Sequence, residues 1–316
     1  MAELRLTAVS RSQGNNADLK AGVVAPSTCS LDFEEVPVLV HAFRRMVREL
    51  SYDVCELAFT TYLCAKAHGA RFTALPIFLV RDLHHGAILH DTTRPSPPPS
   101  DLAGRRIGVN RGYTVTTGVW ARAILQDEYG VDLDTVTWVR SDEEHVAGYR
   151  PPPNVEDLHE GEDLSQLLLD GHVDAVVGGL KTDDERIGPL LPDADEAGFQ
   201  ALAERDLYPI NHLVVVRDDL LAEHPGLAAD LFEAFAASKR RYVERLEADE
   251  LEAPTRVDAM HRRVMELTGG DPLPYGIAPN RAMIDELLRH AVTQHILDRP
   301  PTMEELFAAG THELIG

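Results

Sequence analysis

The chain has 316 residues, 44% of them hydrophobic and 26% charged, which is enough for two medium domains with buried cores. Its formal net charge is −22 with histidine neutral. That excludes the positive footprint required for non-specific nucleic-acid or acidic-membrane binding, and no apolar run approaches the ~20 residues of a membrane-spanning helix.

In chain order, alternating Leu4, Leu6 and Ala8 predict a strand at the start. Residues 38–50 place Val38, Leu39, Ala42, Phe43, Met46, Val47 and Leu50 on one helical face. DVCELAF (53–59) reads as a buried strand, and TTYLCAKAHG as a helix running from a threonine cap to a glycine stop. FTALPIFLV and HHGAILH (84–90) predict two more strands, and the proline-rich TRPSPPPS (93–100) predicts a crossing between lobes. Beyond it come a strand in DLAGRRIGVN, a helix ending at Gly130, a strand at 135–139 and a long polar loop. DLSQLLLDG predicts a short helix, HVDAVVGG a strand, and NHLVVVR (211–217) a strand that recrosses. Helices follow over 225–248, 255–268 and 279–295, with a last turn at TMEELF. The expected class is α/β, with two lobes facing a cleft: residues 1–92 plus 211–316 in one, and 93–210 in the other.

DLAGRRIGV resembles the strand entry of type II periplasmic-binding-protein folds. The ordered blocks VPVLVHAFRRMVRELSYDVCELAFTTYLCAKAHG, ALPIFLVRDLHHGAI, YTVTTGVWARAILQDEYGV, YPINHLVVVRDDL and PYGIAPNR resemble the 4,5-dihydroxyphthalate decarboxylase family over nearly the whole chain. The resemblance implies a decarboxylase on a solute-binding-protein scaffold. One stretch departs: where the family has an Asp-Tyr-Asp-like segment followed by Thr-Arg-Pro, this chain has SRSQGNNADLK (10–20), so an element able to contact substrate differs.

The residues themselves suggest a site for a small dianion. A helix N-terminus offers unpaired N–H groups and about half a positive charge. Thr60 and Thr61 open one helix, and Thr114, Thr116 and Thr117 open another; plain N-capping is the alternative use of such hydroxyls. Gly112 would let the backbone approach a ligand beside Tyr113. Arg111 either adds a bidentate carboxylate contact or is simply solvated. Arg81, after an apolar strand, needs a partner or a ligand if buried, and Glu56 is a lone carboxyl in an apolar strand that either faces the cleft or pairs with Arg81. His84 and His85 should leave opposite faces of a strand and so do not share a metal. The resemblance matches His85 to the histidine of the family's RHSAI block and His212 to that of FPIMHVVV.

Taken with these residues, the resemblance implies a cofactor-independent, metal-free decarboxylase of a hydroxylated aromatic acid. His85 and His212 act as acid and base in unassigned order, Glu56 orients, and Thr60, Thr61, Arg81, Arg111, Tyr113, Thr114, Thr116 and Thr117 anchor substrate. The alternative is a solute-binding protein or ligand sensor of the ABC-transporter type for a small anionic or aromatic compound, because fold alone does not separate the two. The expected partner is a small aromatic carboxylate, with no nucleic acid and no membrane; a homo-oligomer is left open. Cys29, Cys55 and Cys64 have no disulfide spacing and the start shows no signal-peptide pattern, so a cytoplasmic setting is expected.

Overall fold

A computed structural model describes residues 4–95 and 97–316. In chain order the elements are β1 (Leu4–Val9), α1 (Ala17–Lys20), β2 (Cys29–Phe33), α2 (Leu39–Glu49), β3 (Val54–Ala58), α3 (Phe59–Ala67), β4 (Phe72–Arg81), β5 (Ile88–Asp91) and β6 (Arg106–Val109). They continue with α4 (Thr116–Tyr129), β7 (Thr137–Arg140), β8 (Val155–Asp157), α5 (Leu164–Asp170), β9 (Ala175–Val177), β10 (Ile187–Pro189), α6 (Ala194–Arg205) and β11 (Ile210–Arg217). The chain finishes with α7 (Asp218–Glu223), α8 (Leu227–Glu247), α9 (Arg256–Thr268), α10 (Arg281–Thr293) and α11 (Met303–Leu306).

Two compact units result. The first combines the stretch up to Arg81 with Ile210–Asp285 and Pro301–Gly316; the second combines Asp82–Pro209 with Glu286–Pro300. The first boundary therefore precedes the proline-rich segment instead of lying in it, because β5 pairs with β9 and β10, both in the second unit. Residues 286–300 also count with the second unit, where Arg289 bonds Asp127 and Gln294 bonds Arg122.

The first unit carries a five-stranded sheet in the order β2-β1-β3-β11-β4. β1 runs parallel to β2 and β3, whereas β11 is antiparallel to β3 and β4. All five residues of β3 are buried, as expected of a central strand that is apolar but for Glu56. Pro76 is tolerated in β4 because that strand is an edge. The edge is covered by the C-terminal segment, whose Ala308 N–H bonds the Ala74 carbonyl at 2.9 Å.

The second unit carries a six-stranded sheet, β10-β5-β9-β6-β7-β8, parallel from β9 to β8. Val139, Leu164, Leu168, Val173 and Val176 form one of its buried clusters. The expected strand at 84–90 begins only at Ile88; His85–Ala87 form a turn of 3-10 helix. Helix α6, in a stretch without a sequence assignment, buries three small residues, Ala194, Gly198 and Ala201, with Leu202 beside them. A Cβ on Gly198 would lie 2.8 Å from that of Leu83, so only glycine allows this approach.

Candidate active site

In the first unit, β3 and β11 bring together Glu56, the lone polar side chain of β3, and His212, from the polar pair that leads the apolar run of β11. His212 registers with Ala58 and Val214 with Glu56, so His212 and Glu56 are diagonal neighbours on one face of the antiparallel pair. Glu56 Oε1 lies 2.6 Å from His212 Nδ1, and Glu56 Oε2 accepts the Arg11 amide N–H at 2.8 Å. Both carboxylate oxygens are thus engaged, and the residue is 1% exposed. The His212 side chain keeps 16% exposure, with the Phe43 ring edge-on at 5.2 Å. A carboxylate on Nδ1 selects the tautomer with the proton there, leaving Nε2 to give or take a proton. The choice left open for Glu56 resolves to His212.

The other expected residues of this unit are buried. Arg81 is 5% exposed and donates to the Asn280 side chain. Thr60 and Thr61 are fully buried and do not cap their helix: α3 starts one residue earlier, at Phe59, with Ala58 as its cap. The Phe59 ring stacks on Phe78 at 6.0 Å and meets Phe307 at 6.4 Å, so core packing sets the helix start.

In the second unit, the loop before α4 is occupied from within. Glu144 accepts the Tyr113 N–H at 2.6 Å, the Thr114 N–H at 3.1 Å and the Thr114 hydroxyl at 2.7 Å, and it also pairs with Arg140 at 2.8 Å. A Cβ on Gly112 would lie 2.8 Å from a Glu144 oxygen, so the close approach foreseen at Gly112 serves Glu144. Tyr113 and Thr114 are therefore ligands of a protein carboxylate. The residue in the left-handed region is Arg111, at φ 73°, and its N–H donates to Ser141. Thr116 is the first residue of α4 and buried, Thr117 follows half-buried, and Val115 is the cap. Fully buried Arg122 stacks its guanidinium 3.9 Å from the Tyr113 ring and donates to the Tyr113 carbonyl at 2.6 Å.

His85 is 2% exposed, with Nε2 3.0 Å from Glu128, which Arg205 also contacts. Burial alone would raise the Glu128 carboxyl, but the hydrogen bonds from His85 and Arg205 outweigh it and hold the group below its ordinary value. Nδ1 of His85 is buried and meets no hydrogen-bonding partner among the described residues. Sequence reasoning missed Glu128, Glu144 and Arg122; each is an ordinary charged residue until the fold sets it beside its partner.

One set of possible metal ligands, Asp127, Glu286 and His290, also lies in the second unit. Arg289 donates to Asp127 at 2.5 Å and to Glu286 at 2.6 Å, and lies 2.9 Å from His290 Nε2. Its guanidinium fills the place a cation would take.

No protein-family model matches the chain. In solved structures the chain is similar to the alkanesulfonate-binding protein SsuA from Xanthomonas axonopodis pv. citri (TM-score 0.51, 12% identity, covering 99% of this chain and 98% of that one). It is also similar to the periplasmic aliphatic sulphonate binding protein SsuA from Escherichia coli (0.52, 13%, 98% and 93%). A further likeness is to the desulfurization enzyme DSZB (0.52, 14%, 98% and 97%). At these identities the likeness is one of fold, and the fold is the periplasmic-binding-protein type expected from the sequence. Among curated proteins, a 4,5-dihydroxyphthalate decarboxylase of Pseudomonas putida is 35% identical over 144 residues, 43% of this chain and 55% of that protein. One of Comamonas testosteroni is 31% identical over 314 residues, 92% of this chain and 91% of that protein. The chain belongs to the 4,5-dihydroxyphthalate decarboxylase family.

Proposed function

We propose that this protein is a carboxy-lyase acting on a hydroxylated aromatic acid of the phthalate type, with His212 as the group that protonates the ring. The observation that carries the assignment is the Glu56–His212 pair, a buried carboxylate on Nδ1 of a half-buried imidazole. In such an acid, a ring hydroxyl ortho or para to the carboxylate pushes electrons toward the carbon that bears it. His212 in its charged form gives the Nε2 proton to that carbon. The bond to the carboxylate then breaks, its electron pair returns to the ring, and CO2 leaves. Glu56 compensates the imidazolium charge and fixes the ring's direction.

His85 is the second proton-transfer candidate, because its buried Nδ1 lacks a protein partner and buried polar groups are rarely left so. Arg81, Arg111, Thr60, Thr61, Thr116 and Thr117 remain proposed anchors, whereas Tyr113 and Thr114 act through the Glu144 clamp. A cytoplasmic setting accompanies this reading, since all three cysteines are free and buried. No described helix is long and apolar enough to cross a membrane.

The test is CO2 release from 4,5-dihydroxyphthalate by His212→Asn, Glu56→Gln and His85→Asn, with ligand affinity measured separately. Loss of the acid should lower kcat by roughly 10²–10⁴ with a much smaller change in affinity. A His212→Asn enzyme turning over near the wild-type rate would remove the assignment. Tight binding without CO2 release by the unaltered protein would favour the solute-binding alternative.

A further inference from the structure

Residues 10–16, inside the stretch where the chain departs from its family's pattern, are tied by one buried side chain. Asn16 is fully buried. Its Oδ1 accepts the Gln13 N–H at 2.8 Å, and its Nδ2 donates to the Arg11 carbonyl at 2.8 Å and to the Ser10 hydroxyl at 3.1 Å. One amide thus closes the backbone from Ser10 to Gln13 into a ring. Outside fastenings hold the ring in place. Lys20 Nζ donates to the Ser10 carbonyl at 2.9 Å, and Asn15 Nδ2 to the Leu79 carbonyl at 3.0 Å. Gly14 lies so close to the Tyr242 ring that a Cβ there would come within 2.2 Å of it.

The outcome of this bonding is the direction of a single N–H, that of Arg11, which donates to Glu56 Oε2 at 2.8 Å. We infer that Asn16 is a positioning residue for the Glu56–His212 pair: it fixes the Arg11 amide, the amide fixes the carboxylate, and the carboxylate selects the His212 tautomer. The inference rests on the reading of His212 as the proton donor. A carboxylate held on one oxygen by a fixed N–H presents the other oxygen in one direction only. Without that hold, Glu56 can rotate, and an imidazole released from it reverts toward the tautomer protonated at Nε2, which a free ring prefers. That tautomer has no Nδ1–H for Glu56 to accept, so the acid form has to be built without the support of the carboxylate.

The experiment uses the full chain with 15N-labelled histidine, at a pH where the His212 ring is neutral. In the unaltered protein the ring nitrogens should report the proton on Nδ1. In Asn16→Ala the two 15N shifts should move toward each other, with kcat down roughly tenfold or more and KM within about twofold. Asn16→Ser, whose hydroxyl is too short to reach both acceptors, serves if the alanine variant does not fold and should shift the tautomer in the same direction. An unchanged tautomer, with kcat falling only in step with thermal stability, overturns the inference. A shifted tautomer with unchanged kcat supports the positioning role and instead removes His212 from the chemistry, so the two failures are distinguishable.

Discussion

Histidines in this chain differ by the groups that meet their nitrogens. His212 meets a carboxylate and keeps an edge toward solvent, whereas His261 is enclosed. His261 Nδ1 lies 2.8 Å from the Tyr242 hydroxyl, which donates to Asp258 at 2.6 Å. Burial lowers His261 to about 4, against the opposing pull of Asp258 and Asp271. The folded protein therefore keeps this ring neutral where the unfolded chain would protonate it, so the associated stability is present above pH ~6.5 and is lost as pH falls toward 4. The loss should be on the order of 3 kcal/mol. Urea unfolding at pH 7 and pH 4.5 should show it, and His261→Gln should narrow the gap between the two. Equal gaps in both proteins would remove His261 as the cause. Glu286 does not contribute in this window: hydrogen bonds from His290 and Arg289 lower it to about 2, so its stability is lost only below pH ~4.5.

At the scale of the element, the segment entering α4 shows how a helix N-terminus can be satisfied by its own chain. Glu144→Ala would leave two buried N–H groups and the Thr114 hydroxyl without their acceptor. Thermal unfolding should report about 3 kcal/mol of destabilisation. Arg111→Gly should act in the opposite direction, adding about 1 kcal/mol by relieving a left-handed residue. If it lowers activity while raising stability, the Arg111 side chain belongs to the chemistry. Legibility in the sequence follows the same physics. Helices α2, α4, α8 and α9 were readable from their apolar period, reinforced in α4 and α9 by the stops at Gly130 and Gly269, both left-handed. α6 was not readable, because its buried stripe is made of small residues apart from Leu202 and shows little hydrophobic contrast. Glu56 stood out as a lone carboxyl in an apolar strand and His212 as part of a polar pair leading another, and register then joined them. The threonines do not mark the helix starts, which are set by Phe59 packing and by Glu144, neither of which has a signature at fixed spacing.

For the molecule as a whole, a charge of −22 repels any dianion long before contact. Added salt screens that repulsion, so kcat/KM for a phthalate-type substrate should rise, roughly threefold from low to physiological ionic strength. A fall with salt would mean that local positive groups govern capture instead. The sheet order of the first unit has a consequence for synthesis on the ribosome. β3 and β4 are neighbours in sequence but not in the sheet, because β11 lies between them and pairs with both. A nascent chain that has released β4 must add roughly 130 residues before β11 emerges, which takes on the order of 10 s at ordinary translation rates. Throughout that interval two apolar strands have bare hydrogen-bonding edges. The second unit's strands are made during this wait, so the growing chain is most exposed to misassembly and most dependent on chaperones just before residue 210.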